Sequence, residues 1–214
     1  VCTSAHVTPG PGTETDPGLS GDLDLLAEHM HVLGASHVIA PIFAPPSDIV
    51  LPQDADGARR LARVAAAMSI DHWKRLAADL NRIGQRLRTH GLGFGYHNHS
   101  IEFVPVGVGT AWDVMLAETD PDLVTFELDV GWVAAAGLDP AAVFRKNPGR
   151  YGLIHMKDIQ PASQANLLLR MEPSDVGSGR LDWSDVLPAA HEAGVRKFFY
   201  EQEPPFPGPR LGSA

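Results

Sequence analysis

Cysteine is almost absent: Cys2 is the only one among 214 residues. A lone thiol has no partner within its own chain, so an intramolecular disulfide framework is excluded. Positive charge is scarce too. Lys and Arg number 17 against 26 Asp and Glu, a formal net charge of -9, which repels a phosphate backbone and argues against nucleic acid as a partner. No apolar run approaches the roughly 18 residues of a membrane helix, and no charged-then-apolar leader is present. The expectation is a soluble, cytoplasmic chain with no membrane partner. What remains, 44% hydrophobic and 20% charged residues, is the composition of one compact globular domain over 1–214. Histidine, by contrast, is plentiful, with ten. His29, His31, His72 and His90 fall in helical stretches and are expected at the surface.

Hydrophobic periodicity divides the chain into strands and helices. Val1–Val7 reads as a strand, followed by a Pro/Gly/Thr-rich loop from Thr8 to Ser20. Asp22–Leu33 has helical spacing and stops at Gly34, and His37–Ile42 is the next strand. Helical sequence runs from about Ala55 to Thr89, with Ser69-Ile-Asp-His placed to break it and cap the second half; Gly91 ends it. The alternation then quickens: strand Leu92–His99, helix Trp112–Glu118, strand Val124–Val130, helix Pro140–Lys146, strand Tyr151–Lys157, helix Trp183–Ala193, strand Lys197–Gln202. Strands separated by helices imply parallel pairing with helical crossovers, hence an α/β barrel or a doubly wound sheet.

Side chains two apart on a strand share a face, and the last such pair on a barrel strand points into its C-terminal mouth. That rule pairs His97 with His99, Glu127 with Asp129, His155 with Lys157 and Glu201 with Glu203, while the first strand adds Ser4 and His6. The opposite faces carry Phe94 and Tyr96, Phe126 and Leu128, Ile154 and Met156, Phe198 and Tyr200, and are expected to pack against helices. A single polar pair at a strand end is ordinarily a cap, a salt bridge or a solvated group. Four in phase crowd carboxylates and imidazoles into one mouth, at a desolvation and repulsion cost that a divalent cation offsets. Mixed Glu, Asp and His donors suit one ion of Mn, Co, Mg or Zn without choosing among them.

The segments YHNHSIEF (96–103), FELDVGWVAAAGLDPAAVFRKNPGR (126–150), LIHMKD (153–158), VGSGRLDW (176–183) and FYEQE (199–203) together resemble the sugar phosphate isomerase/epimerase family of the xylose-isomerase-like TIM barrel group. The resemblance implies a TIM-barrel-like (β/α) fold and a small-molecule sugar or sugar-derived substrate. It also implies one divalent metal ion, held by Asp129, His155, Glu201 and a fourth ligand that is either Glu102 or, in competition, His97. By the same resemblance Glu201 is both ligand and acid/base, with Glu102 or His99 opposite. His6, His97, Trp132 and Lys157 would contact substrate, Lys157 through a hydroxyl or phosphate. Glu127, Asp158 and Glu203 would support the ligands, the last two by orienting His155 and the other ligands.

The implied reaction is proton abstraction next to a carbonyl, with the metal stabilising an enediolate, as in an isomerase or epimerase. A lyase or dehydratase on a keto-inositol or 3-keto-glycoside would use the same site and then expel a β-substituent. An apurinic endonuclease, which resembles the same group, needs an Asp-x-His that VGSGRLDW lacks. Six recognisable strands fall two short of a closed eight-stranded ring. The expectation is a barrel lacking its first two βα units, either a fragment, a catalytically degenerate carbohydrate-binding barrel, or a chain whose open edges are covered by a homo-oligomer or partner chain.

Overall fold

The structure, a computed structural model, describes residues 2–54 and 56–202. In chain order its elements are β1 (Ser4–His6), α1 (Leu23–Leu33), β2 (His37–Ala40), α2 (Gly57–Ala67), α3 (Ile70–Arg88) and β3 (Gly93–His97). A 3₁₀ turn (Ile101–Phe103) and a hairpin of β4 (Pro105–Val106) and β5 (Gly109–Thr110) follow, then α4 (Ala111–Glu118), β6 (Thr125–Asp129), α5 (Val130–Ala135) and α6 (Pro140–Lys146). The rest is β7 (Tyr151–Met156), β8 (Asp158–Ile159), β9 (Pro173–Ser174), α7 (Trp183–Glu192) and β10 (Lys197–Tyr200).

Six strands form one sheet in the order β1-β2-β3-β6-β7-β10, every neighbour pair parallel. These are the six expected strands, joined by the helical crossovers that parallel pairing demands. The register aligns their C-terminal ends: His97 lies beside Glu127, Asp129 beside His155, and His155 beside Phe199. The sheet curves until its first and last strands approach. At the N-terminal end, Lys197 Nζ of β10 donates to Ser36 Oγ at 2.8 Å and Thr3 O at 3.4 Å, and lies 2.7 Å from His37 Nδ1.

Phe94, Tyr96, Phe126, Leu128 and Ile154 are buried on the outer face, as alternation requires, with α3 on β3 and α4 on α3. Each such side chain stabilises the fold by about 1.5–3 kcal/mol. Phe198 and Tyr200 differ from expectation. They are 42% and 47% exposed, so no helix among the described residues covers the outer face of β10.

The long helical stretch breaks where Ser69 predicts. Ser69 and His72 form a reciprocal cap: the Ser69 N–H donates to His72 Nδ1 at 3.0 Å, and α2 and α3 separate there. Two features escaped the periodicity: the six-residue α5, too short to develop a repeat, and the two-residue ladders β4–β5 and β8–β9. No helix among the described residues is long and apolar enough to cross a membrane.

Candidate metal centre

Parallel register and alternation bring His6, His97, Glu127, Asp129, His155, Lys157 and Glu201 to the inner face at the C-terminal ends of β1, β3, β6, β7 and β10. Two sets of donor atoms lie close enough to share an ion. Asp129, His155 and Glu201 form one, and His6, His97, Glu127 and His155 the other.

Asp129 has its two oxygens in different jobs. Oδ1 accepts the Trp132 N–H at 2.9 Å and caps α5, whereas Oδ2 is buried and accepts no hydrogen bond. Around Oδ2 stand Lys157 Nζ at 3.3 Å, His97 Nε2 at 3.9 Å and His155 Nδ1 at 4.0 Å. His155 Nδ1 is also 2.6 Å from Glu201 Oε2, which is itself 3.3 Å from Lys157 Nζ. The hydrogen bond with His155, reinforced by the Lys157 charge, holds the Glu201 carboxyl down to about 2. Burial opposes protonation of His155, but the bond to Glu201 and the charges of Glu127 and Asp129 outweigh it and raise its pKa above the ordinary imidazole value.

Glu127 lies behind these rings. Its Oε2 is 2.6 Å from His6 Nε2 and 3.2 Å from both His97 Nδ1 and His155 Nε2. Burial disfavours that carboxylate, but the bonds from His6 and His97 prevail and lower its pKa to about 2. An ionised carboxylate only accepts, so His97 Nδ1 carries a proton and Nε2 keeps the lone pair that faces Asp129. The His6 ring, bonded to Glu127, also stacks on His155 at 5.2 Å. Burying Glu127, Asp129 and Lys157 together is tolerable only because each is paired.

His99 has a buried Nδ1 without a partner and sits 5.2 Å from the Trp132 ring and 5.0 Å from His97. Desolvation, with the nearby His97 and Lys157 charges, holds its pKa well below the ordinary value, so the ring is neutral. Lys157 Nζ stands 5.3 Å over the Trp132 ring, a cation–π approach. Gly131 permits that packing: a Cβ there would stand 2.9 Å from Lys157 Cβ and Cγ.

Glu102, Asp158 and Lys157 are each bonded to other groups of the chain. Glu102 is turned away from both donor sets. Its Oε1 accepts the Tyr96 hydroxyl at 2.7 Å and its Oε2 the His99 N–H at 2.8 Å, on the outer side of the sheet. Burial pushes its pKa up to about 7. Asp158 does not touch His155; its carboxylate accepts the N–H groups of Gly177, Gly179 and Leu181 at 3.0, 3.2 and 3.2 Å and the Trp183 indole at 2.8 Å. Lys157, expected to hold a hydroxyl or phosphate, is ion-paired with Asp129 and Glu201. Glu203 lies outside the described residues.

Asn98 is a contributor that the face rule passed over. Its Oδ1 accepts the Asp129 N–H at 2.9 Å and its Nδ2 donates to Asp129 O at 3.3 Å, pinning the backbone of that residue from the neighbouring strand. The signal was a polar residue one position past the end of β3, in phase with its apolar face.

A curved parallel sheet with acidic and imidazole donors converging at its C-terminal mouth has the architecture of an α/β barrel and its usual site. The chain belongs to the xylose isomerase-like TIM barrel family, whose profile matches residues 6–210. It is similar to an inosose dehydratase of Lacticaseibacillus casei, 36% identical over 92 residues, which are 42% of this chain and 30% of that protein. It therefore matches under a third of the length of that curated relative. A crystal structure of a sugar phosphate isomerase/epimerase from Parabacteroides distasonis superposes with a TM-score of 0.67 and 26% identity, over 97% of this chain and 65% of that one. The IOLI protein, whose structure contains a bound zinc atom, shares the fold at 13% identity and a TM-score of 0.53, over 86% of this chain and 59% of that one.

Proposed function

We propose that this chain binds one divalent metal ion through Asp129, His155 and Glu201, with His97 as the fourth donor. On that reading it removes the proton beside the carbonyl of a keto-sugar or ketone-bearing polyol. The observation that carries this is the buried Asp129 Oδ2, which accepts no hydrogen bond and is ion-paired with Lys157 at 3.3 Å while ring nitrogens of His97 and His155 stand 3.9 and 4.0 Å away. For metal–ligand bonds of about 2.1 Å, two ligands of one ion lie about 3 to 4.2 Å apart, a range that holds both separations, whereas His155 Nδ1 and Glu201 Oε2, hydrogen-bonded at 2.6 Å, would have to part to admit the ion. That the IOLI protein, which shares the fold, binds a zinc atom supports a metal of this kind. The other donor set fits a supporting role better, since its one carboxylate oxygen is already the acceptor for His6 and His97.

A divalent cation bound there would supply Lewis acidity, polarising the carbonyl and stabilising negative charge that develops on its oxygen. The protein's own groups do the rest. Glu201, ionised at neutral pH and at the rim, takes the proton; neutral His99, with its free Nδ1, donates or accepts one from the opposite side. Lys157 offsets the carboxylates, and the Trp132 ring supplies an apolar wall beside His99.

Return of the proton to a carbon makes the enzyme an isomerase or epimerase. A second reading is favoured by the inosose dehydratase relatives: departure of a β-hydroxyl or β-glycosyl group would make it a dehydratase or lyase. Incubation of the metal-loaded protein with a panel of keto-sugars, inososes and 3-keto-glycosides, followed by mass spectrometry, separates the two. Isomerisation conserves mass, whereas elimination loses water or an aglycone. Absence of hydrogen–deuterium exchange beside the carbonyl with every member of the panel, under metal-replete conditions, would contradict both.

A further inference from the structure

Next to the metal centre, the loop from Gln160 to Pro173 closes on itself. Its ends are zipped by the β8–β9 ladder and by Gln160 N–H to Glu172 O at 2.8 Å. Loops of this compact kind, with adjacent ends, are frequently functional. This one is an arch tied to the mouth at several points. The Asn166 N–H donates to Ala135 O of α5 at 2.8 Å, the Leu169 N–H to Ser100 Oγ at 3.3 Å, and Arg170 pairs with the α2 cap Asp56 at 3.0 Å. Leu169 is held at φ 55°, a region that non-glycine residues rarely occupy unless their surroundings impose it.

Under the arch is a hollow of about 620 Å³ with Trp132 in its lining, together with Gln164, Leu169, Met171 and Glu172. Trp132 also touches His99 and faces Lys157, so one indole borders both the metal centre and the hollow. Its Nε1–H is buried and has no acceptor. Apolar surface combined with amide and carboxylate groups suits a polyhydroxylated ring, whose faces are apolar and whose edges hydrogen-bond. An anionic ligand is disfavoured. The one basic residue lining the hollow, Arg170, is already paired with Asp56, and Glu172 adds negative charge.

We propose that this hollow is a second sugar subsite, holding an uncharged glycosyl group attached to the ring that reacts at the metal centre. The proposal rests on the keto-sugar reading above and deepens it: the preferred substrate is a glycoside, not a free or phosphorylated monosaccharide.

Two measurements test it in the full chain. In steady-state kinetics with 3-ketoglucose and a 3-keto-glucosyl disaccharide, the disaccharide should have the higher kcat/KM. Gln164→Trp, at an exposed arch position, should raise the disaccharide KM by about tenfold and leave 3-ketoglucose turnover unchanged. Equal kcat/KM for the two sugars, with the variant affecting neither, would overturn the subsite. If neither sugar reacts, the reaction assignment fails, and the subsite is judged by nuclear magnetic resonance alone. The Trp132 indole N–H, assigned with Trp132→Phe, should shift saturably with maltose, more weakly with glucose, and not at all in Gln164→Trp. No shift with maltose in the wild-type chain would refute it.

Discussion

Glu127 sets one carboxylate oxygen against the ring nitrogens of His6, His97 and His155, and that contact decides which nitrogen of His97 faces Asp129 in the proposed metal centre. Outer carboxylates of this kind typically contribute 10–100-fold in metal affinity. Glu127→Gln should therefore weaken Mn²⁺ binding by about that factor in calorimetry without abolishing it. His6→Ala should have a smaller effect. Complete loss of binding in both variants would instead mean that the ion sits among His6, His97 and Glu127. A second residue-scale test concerns Glu102. Its folded pKa, about 7, exceeds the ordinary 4.5, so between those values the folded state keeps a proton that the unfolded chain releases. This term is absent below about pH 4.5, reduces stability as pH rises to about 7, and is constant beyond. Glu102→Gln should remove that slope from urea-unfolding stability measured over the same range. Parallel pH profiles for variant and wild type would contradict the assignment. Alternation along a strand made Asp129, His155 and Glu201 legible in the sequence. Glu102 was not, because it follows the end of β3, where the period of two no longer says which way a side chain turns.

At the scale of elements, the 176–183 segment is organised around one buried carboxyl group. Asp158 accepts backbone N–H groups from Gly177, Gly179 and Leu181 and the Trp183 indole, and a Cβ on Gly179 would lie 2.1 Å from Asp158 Oδ1. Hydrogen bonds to a charged acceptor contribute about 1.5–3 kcal/mol each, and an orphaned buried donor adds its own cost. Asp158→Asn is predicted to destabilise the fold by roughly 3 kcal/mol and to speed amide exchange at Gly177, Gly179 and Leu181, with Mn²⁺ affinity unchanged. A fall in affinity at unchanged stability would restore Asp158 to the metal site. The motif VGSGRLDW was visible in the sequence, but its partner was not. Glycines announce close approach without naming what approaches. Long elements such as α3 declared themselves by period and cap, whereas α5, which carries Trp132, is too short for a period, and its cap Asp129 reads equally as the last residue of a strand.

For the molecule as a whole, the parallel pairing followed from the alternation of strands and helices, whereas the sequential strand order did not, because the same alternation suits a doubly wound sheet. Curvature did not: it depends on how far strands shear and coil, and the tie from Lys197 to Ser36 and His37 joins positions 161 and 160 residues apart. That curvature brings His6 of β1 onto His155 of β7 and turns a row of polar strand ends into a centre. An ion that binds only the folded chain must raise its melting temperature, by about 2.7 kcal/mol of stability at one hundred times the dissociation constant. The most direct test is calorimetric titration of Mn²⁺ into the metal-stripped wild-type chain and into Asp129→Ala and His155→Ala, with circular dichroism to verify folding. We predict one site per chain in the wild type and none in either folded variant. No binding by the wild type, or undiminished binding by both variants, would contradict the metal centre.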